Sequence, residues 1–186
     1  LIFLFFQFLS FLFSSLPKPI ILVLMGGKSR YYQYDYSAIT SLAQTLRKMI
    51  QKKGGSLLVS ASRRTPSDLY ALVKNIWTDL PVLYTEDLMY PNLYPALIGA
   101  ADSIIVTPDS VSMTTEACAS GKIVLTPFFP EKSKRLRQFH KVLQERKHTF
   151  PLCDTYINNL PKPKPFNDLE WIASCVQEKI EAYFQN

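Results

Sequence analysis

The chain has 186 residues, 47% hydrophobic and 19% charged, with a formal net charge of +6. That balance fits one folded α/β-sized domain and excludes a disordered or low-complexity chain. Cys118, Cys153 and Cys175 form no CxxC, and His140 and His148 are scattered. These counts argue against a disulfide framework and a histidine metal cluster, and read as structural thiols in a reducing compartment.

Residues 1–16, "LIFLFFQFLSFLFSSL", carry no charge and end at Pro17. A bilayer span needs about 20 residues, and the basic start and small-residue cleavage site of a signal peptide are missing. Three readings stay open for this segment: a membrane anchor, a helix that packs on a further N-terminal domain, or a non-native stretch. Left in water, such an apolar segment aggregates. The expected division is therefore an apolar segment, 1–16, and a domain, 17–186.

Regular elements begin at Pro19. "IILVLMGG" (20–27) reads as an apolar strand ending in two glycines. A helix follows over 37–55, capped by Ser37 and stopped by Gly54 and Gly55. "SLLVSAS" (56–62) is the second strand, and a helix over 65–80 carries Pro66 in its first turn. "PVLYTED" (81–87) is the third strand, followed by a short helix (90–100) interrupted by Pro95. "SIIVT" (103–107) leads through a polar turn into a helix over 111–120, and "KIVLTPF" (122–128) is the fifth strand. A basic amphipathic helix (131–148), a proline-rich linker (161–168) and a closing helix (169–185) complete the chain.

Continuous apolar strands are buried on both faces, as in parallel sheets. Alternation with helices at this spacing means βαβ units. The expected fold is an α/β, Rossmann-like, doubly wound parallel sheet of five strands.

Ligands of such sheets bind at the carboxyl ends of the strands, so the loops there carry the candidates. Gly26 and Gly27 allow close backbone approach, and Lys28 adds charge, although neither a Walker loop nor GxGxxG is present. Arg63 and Arg64 follow the second strand and can fork onto phosphate oxygens. Asp109, Ser110 and Ser112 open the helix after the fourth strand, where free N–H groups and the positive dipole end favour an anion. Glu116 lies one turn beyond Ser112 and suits a ribose diol. Each has a plainer alternative: a tight turn, a solvated arginine pair, an N-cap and a solvated glutamate.

No nucleophile–base pair emerges. Neither histidine is expected at a strand end, and Asp35 and Asp87 have no assignable partner. Met113 and the cluster Tyr31, Tyr32, Tyr34 and Tyr36 can stack on a base or pack as core and rim. The Lys and Arg clusters at 47–53 and 132–147 read as solvated helix faces. Anionic lipid or nucleic acid is the alternative, but without a nucleic-acid motif no nucleic-acid partner is expected.

"ILVLMGGKSRYYQYD", "LLVSASRRTP", "ADSIIVTPDSVSMTTEACASGKIVLTPF" and "RLRQFHKVLQER" resemble the mitochondrial-fission "elongated mitochondria" family, which includes plant fission factors and uncharacterised bacterial proteins. The third stretch is also similar to the donor-binding half of GT-B glycosyltransferases, such as the enzyme that adds N-acetylglucosamine to the peptidoglycan lipid precursor. The second likeness implies a nucleotide-sugar or nucleotide diphosphate ligand, treated as substrate with no cofactor. Glu116 would sit on the ribose, Asp109 and Ser110 would face the diphosphate, and Gly26 and Gly27 would line the same cleft. Those enzymes favour Gly where Ser110 stands and a neutral residue where Asp109 stands. Their base usually comes from an N-terminal domain, so this chain would be inactive alone and its full-length relatives would carry another domain before Leu16. The first likeness implies instead an adaptor that recruits a dynamin-like partner at the mitochondrial outer surface of a eukaryote. Either way the implied location is cytoplasmic, with membrane contact if residues 1–16 insert. Glu116 separates the two: a binding domain needs it and an adaptor does not.

Overall fold

A computed structural model of the chain describes residues 9, 11–28, 35–88, 93–127, 133–153, 162–164, 166 and 177. Ile20–Met25, buried at every position, forms the central strand β1. It pairs in parallel with β2 (Ser56–Ala61) on one side and β4 (Ser103–Val106) on the other. With β3 (Val82–Tyr84), β5 (Ile123–Thr126) and β6 (Phe150–Pro151) the sheet is six-stranded and parallel, in the order β3-β2-β1-β4-β5-β6.

Alternate residues of β1 serve two cores. Ile21, Val23 and Met25 pack beneath helices α1 (Tyr36–Lys53) and α2 (Ser67–Ile76), against Ile39, Leu46, Leu69 and Val73. Ile20, Leu22 and Leu24 face Leu97 of helix α3 (Tyr94–Ala100) and Ala117 and Cys118 of helix α4 (Val111–Ala119). Both faces are therefore covered, which is why the strands read as unbroken apolar runs. Each buried Leu, Ile or Val contributes about 1.5–3 kcal/mol relative to leaving it exposed. The expected doubly wound fold is the observed one.

Five strands were expected and the described residues form six. Phe150 pairs with Leu125 and Pro151 with Thr126, after helix α5 (Lys134–Glu145). Two residues are too few to leave an apolar run in the sequence. The cap of α1 is Asp35 rather than Ser37: its carboxylate accepts from the amides of Ser37 at 2.9 Å and Ala38 at 3.3 Å. That also supplies the partner Asp35 lacked, and these bonds, led by the one from the Ser37 hydroxyl, hold its carboxyl below the usual range. Pro95 does not interrupt α3 but stands in its first turn, where no amide partner is needed. The Trp77 indole Nε1 donates to Ala43 O at 2.8 Å and joins the end of α2 to α1.

In the apolar start, Leu9 and Phe13 are buried with Leu22, Leu24 and Leu97, so this part of the segment packs on the domain itself. The expected closing helix (169–185) apart from Gln177, and Cys175, Tyr31, Tyr32, Tyr34 and the side chain of Asp87, lie outside the described residues. Cys118 is buried, its thiol 3.6 Å from His148 O, and Cys153 is exposed.

Candidate functional site

The strand order reverses between β1 and β4: from β1 the chain winds outward to β3, then returns to β4 and winds the other way. Loops leaving the carboxyl ends of two such strands diverge to opposite faces and leave a crevice, the usual ligand position in open α/β sheets. Here the loops are Gly26–Lys28 and Thr107–Ser110. The third wall is the turn after β2.

Beside this edge lies a cavity of about 1100 Å³. Arg63, Arg64, Ser110, Ser112 and Glu116 line it, with Leu93, Tyr94, Leu97 and Met113 as an apolar wall. Five of the nine candidate residues are thus brought together. The parallel strands deliver them: the turn after β2 and the start of α4 both leave carboxyl ends on one edge of the sheet.

Ser110 is the N-cap of α4, and its hydroxyl accepts from the Met113 amide at 3.4 Å. Ser112 and Glu116 lie on the exposed side of the helix, while Thr114, Ala117 and Cys118 face the core. Arg63 and Arg64 are exposed on a turn held by Thr65 N to Ser62 O at 2.9 Å and Arg64 N to Ser62 Oγ at 3.1 Å. Glu86 shares the cavity and is paired with Lys74.

The remaining candidates behave differently. The Gly26 amide donates to Thr107 Oγ1 at 2.8 Å, and the Gly27 amide donates to Asp109 Oδ2 at 2.8 Å. Thr107 Oγ1 in turn donates to Asp109 Oδ1 at 2.7 Å. The glycine amides expected to meet a ligand are therefore bonded within the protein. Both glycines are needed for this closeness: a Cβ on Gly26 would lie 2.0 Å from Asp109 Oδ2, and one on Gly27 would lie 2.2 Å from the backbone carbon of Arg64. The Lys28 amide donates to Arg64 O at 3.2 Å. The Lys28 charge acts on Asp68, whose carboxyl is lowered first by the hydrogen bond from Tyr36 and last by Lys28.

Two residues at the site carried no sequence signal that singled them out. Tyr94 faces Glu116; burial first, and then that carboxylate, push its hydroxyl well above its ordinary value. His140, from α5, reaches the loop after β4: its Nε2 lies 2.6 Å from Pro108 O. It is 6% exposed, and burial lowers its imidazole below the ordinary value, opposed by the Pro108 bond and the Asp109 charge. The expectation that neither histidine sits at a strand end is corrected for His140.

Among the described residues no group of three or more His, Cys, Asp or Glu is placed to hold a metal ion. No helix among them is long and apolar enough to cross a membrane.

The sheet order and the cleft define a Rossmann-like, doubly wound α/β protein. Within that class, the chain belongs to the mitochondrial fission ELM1 family, whose pattern matches residues 9–180. It is 29% identical over 172 residues to the mitochondrial fission protein ELM1 of Arabidopsis thaliana, an alignment that spans 91% of this chain and 40% of that protein. It is 30% identical over 167 residues to the uncharacterized protein RP120 of Rickettsia prowazekii (strain Madrid E), spanning 86% of this chain and 46% of that one. The chain thus spans less than half the length of these curated relatives.

Proposed function

We propose that the cleft at the carboxyl edge of the sheet binds a nucleotide diphosphate-sugar, as the donor-binding half of a glycosyltransferase-like protein. The observation that carries this reading is the convergence of Arg63, Arg64, Ser110, Ser112 and Glu116 on one 1100 Å³ cavity at the point where the strand order reverses. In this reading the arginines and the start of α4 take the phosphates. Glu116 accepts from the ribose hydroxyls, and the base lies against Leu93, Tyr94, Leu97 and Met113. Sugar transfer itself would require stabilisation of the leaving diphosphate by these donors, and a partner domain to supply the base.

The test is calorimetric titration of the chain with UDP, GDP, ADP and CMP, beside Glu116→Ala and Arg63→Ala/Arg64→Ala. One nucleotide should bind in the micromolar range. Glu116→Ala should lose roughly 1–3 kcal/mol, as for a hydrogen bond to a charged group. Absence of binding by a folded chain would overturn the reading.

A second reading has its own observation. The Arabidopsis relative is named a mitochondrial fission protein, and in this chain the Gly26 and Gly27 amides are bonded internally. Both fit an adaptor that keeps the fold, recruits a dynamin-like partner and has no use for a nucleotide. Insensitivity of partner binding to Glu116→Ala would support it.

A further inference from the structure

We infer that a second cavity, between α4, α5 and Phe166, is a binding site for an anionic amphiphile: a single apolar chain with a carboxylate or phosphate head. It is separate from the cleft at the carboxyl edge of the sheet and does not depend on what that cleft binds.

The cavity has a volume of about 680 Å³ and shares no lining residue with the cleft. Helix α4 stands between the two: Thr115 lines this cavity, while Ser112 and Glu116 line the cleft. The floor is Phe139, Val142 and Leu143 of α5, and Phe166 closes one side. Phe139 and Phe166 also pack against the second core, which fixes the floor from beneath. The Phe166 side is tied to the end of α5. His148 Nδ1 lies 3.3 Å from Lys164 O, and the Lys164 amide donates to Lys147 O at 3.1 Å. The His148 and Phe166 rings meet edge to face, with centroids 5.0 Å apart. Small-molecule sites are concave, mostly apolar and about 300–1,000 Å³ in volume, and this cavity falls within that class.

Cations stand on the same stripe as the floor. Arg135, Phe139, Val142 and Arg146 follow one another at helical spacing, so they share one face of α5 and its cap. At a rise of about 1.5 Å per residue, the two arginines bracket the floor roughly 16 Å apart along the axis. Lys134 adds a third cation at the start of α5. Among the described residues no carboxylate lines the cavity, and no ion pair joins Lys134, Arg135 or Arg146 to one. Lys141, on the same helix but outside the cavity, contrasts with them: it pairs with Glu145 at 3.7 Å.

Neither half of this arrangement suffices by itself. An exposed cation holds an anion only weakly in water, and an apolar floor does not select for charge. An alkyl chain on the floor gains by leaving water, and a carboxylate or phosphate at its end takes forked hydrogen bonds from a guanidinium. A neutral amphiphile lacks the second gain, and inorganic phosphate lacks the first.

The experiment is calorimetric titration of the full chain with decanoate and decyl phosphate, each below its micelle concentration. Decyl maltoside and inorganic phosphate are the controls for tail and head alone. At least one of the two anionic amphiphiles should bind one to one. Decyl maltoside should bind at least tenfold more weakly, and inorganic phosphate should give no saturable heat. Arg135→Gln/Arg146→Gln should lose at least tenfold, while Lys48→Gln/Lys52→Gln, which removes the same charge from the exposed side of α1, should bind as the unsubstituted chain does. Val142→Glu, which puts a carboxylate in the floor, should abolish binding; if it unfolds the chain, the arginine pair still decides. Absence of binding by the folded chain would overturn the inference, as would equal affinity for decyl maltoside. Undiminished binding in the arginine variant, or many amphiphiles taken up per chain, would place the contact elsewhere, on the apolar start for example, and would overturn it too.

Discussion

The imidazole Nε2 of His140 lies 2.6 Å from the carbonyl oxygen of Pro108, which joins the middle of α5 to the loop that leaves β4. A carbonyl only accepts, so Nε2 carries the proton. Nδ1 is then a bare lone pair, and it is buried without a hydrogen-bond partner. A second proton would put a charge there with nothing to accept the new N–H.

This gives a pH dependence of stability with a defined sign. Burial lowers the folded imidazole below its ordinary value of 6.5, and the Asp109 charge opposes this only in part. The unfolded chain binds more protons in that range, so stability rises with pH. The contribution is complete above about pH 6.5 and is lost as pH falls below it toward the lowered folded value. Urea denaturation should give a lower midpoint at pH 5 than at pH 7.5. In His140→Gln, which can still donate to Pro108 but does not titrate, the difference should shrink.

Gly26 and Asp109 should be coupled energetically. Gly26→Ala places a methyl 2.0 Å from Asp109 Oδ2, and forcing an extra carbon into such a space costs about 1–3 kcal/mol. The cost should fall when the same change is made in an Asp109→Ala background. A double-mutant cycle by chemical denaturation reads this directly, with a coupling on the order of 1 kcal/mol or more. Strict additivity would show that the two side chains do not meet.

Trp77 should be a large contributor to the first core. It is 2% exposed and donates to Ala43 O. Trp77→Phe keeps most of the ring but removes the bond to Ala43 O, a carbonyl inside α1, at a cost of about 0.5–1.5 kcal/mol. Trp77→Ala should cost roughly 3–5 kcal/mol through the cavity it leaves. Equal losses in the two variants would show that the hydrogen bond, not the packing, dominates.

The adjacent glycines after α1 should differ. Both have positive φ, 77° at Gly54 and 102° at Gly55. A Cβ at Gly54 meets nothing within 4 Å, whereas one at Gly55 would lie 2.6 Å from Pro19 O. Gly54→Ala should cost about 1–3 kcal/mol, the backbone term alone, since its φ of 77° and ψ of −170° suit only glycine. Gly55→Ala should cost more, and thermal denaturation of the two variants would rank them.

The strands of the sheet interior were readable because burial on two faces leaves no polar residue to interrupt them, as Ile20–Met25 demonstrates. β6 was not, since a two-residue strand takes its identity from its neighbour β5 rather than from its own residues. At the cleft, the meeting of Arg63 and Arg64 with Glu116 followed from topology alone, because parallel strands deliver their following loops to one edge. The bond between Gly27 and Asp109 did not: it spans 82 residues and leaves no local pattern. His140 escaped for a related reason. Its helix reads as a solvated basic face, and only the packing of Leu136, His140 and Leu143 shows which side turns inward.

The central position of β1 has a consequence for synthesis on the ribosome. This strand emerges before β4, and one of its two edges stays open until β4 follows, with Ile21 waiting for Ser103 and Leu24 for Val106. During that interval an apolar strand presents unpaired amides and carbonyls, the surface on which chains aggregate. The strands and helices that precede β4 therefore cannot form a stable stopping point by themselves. A nascent chain cut before residue 103 should be a client for chaperones, and one extended past Val106 should need them far less.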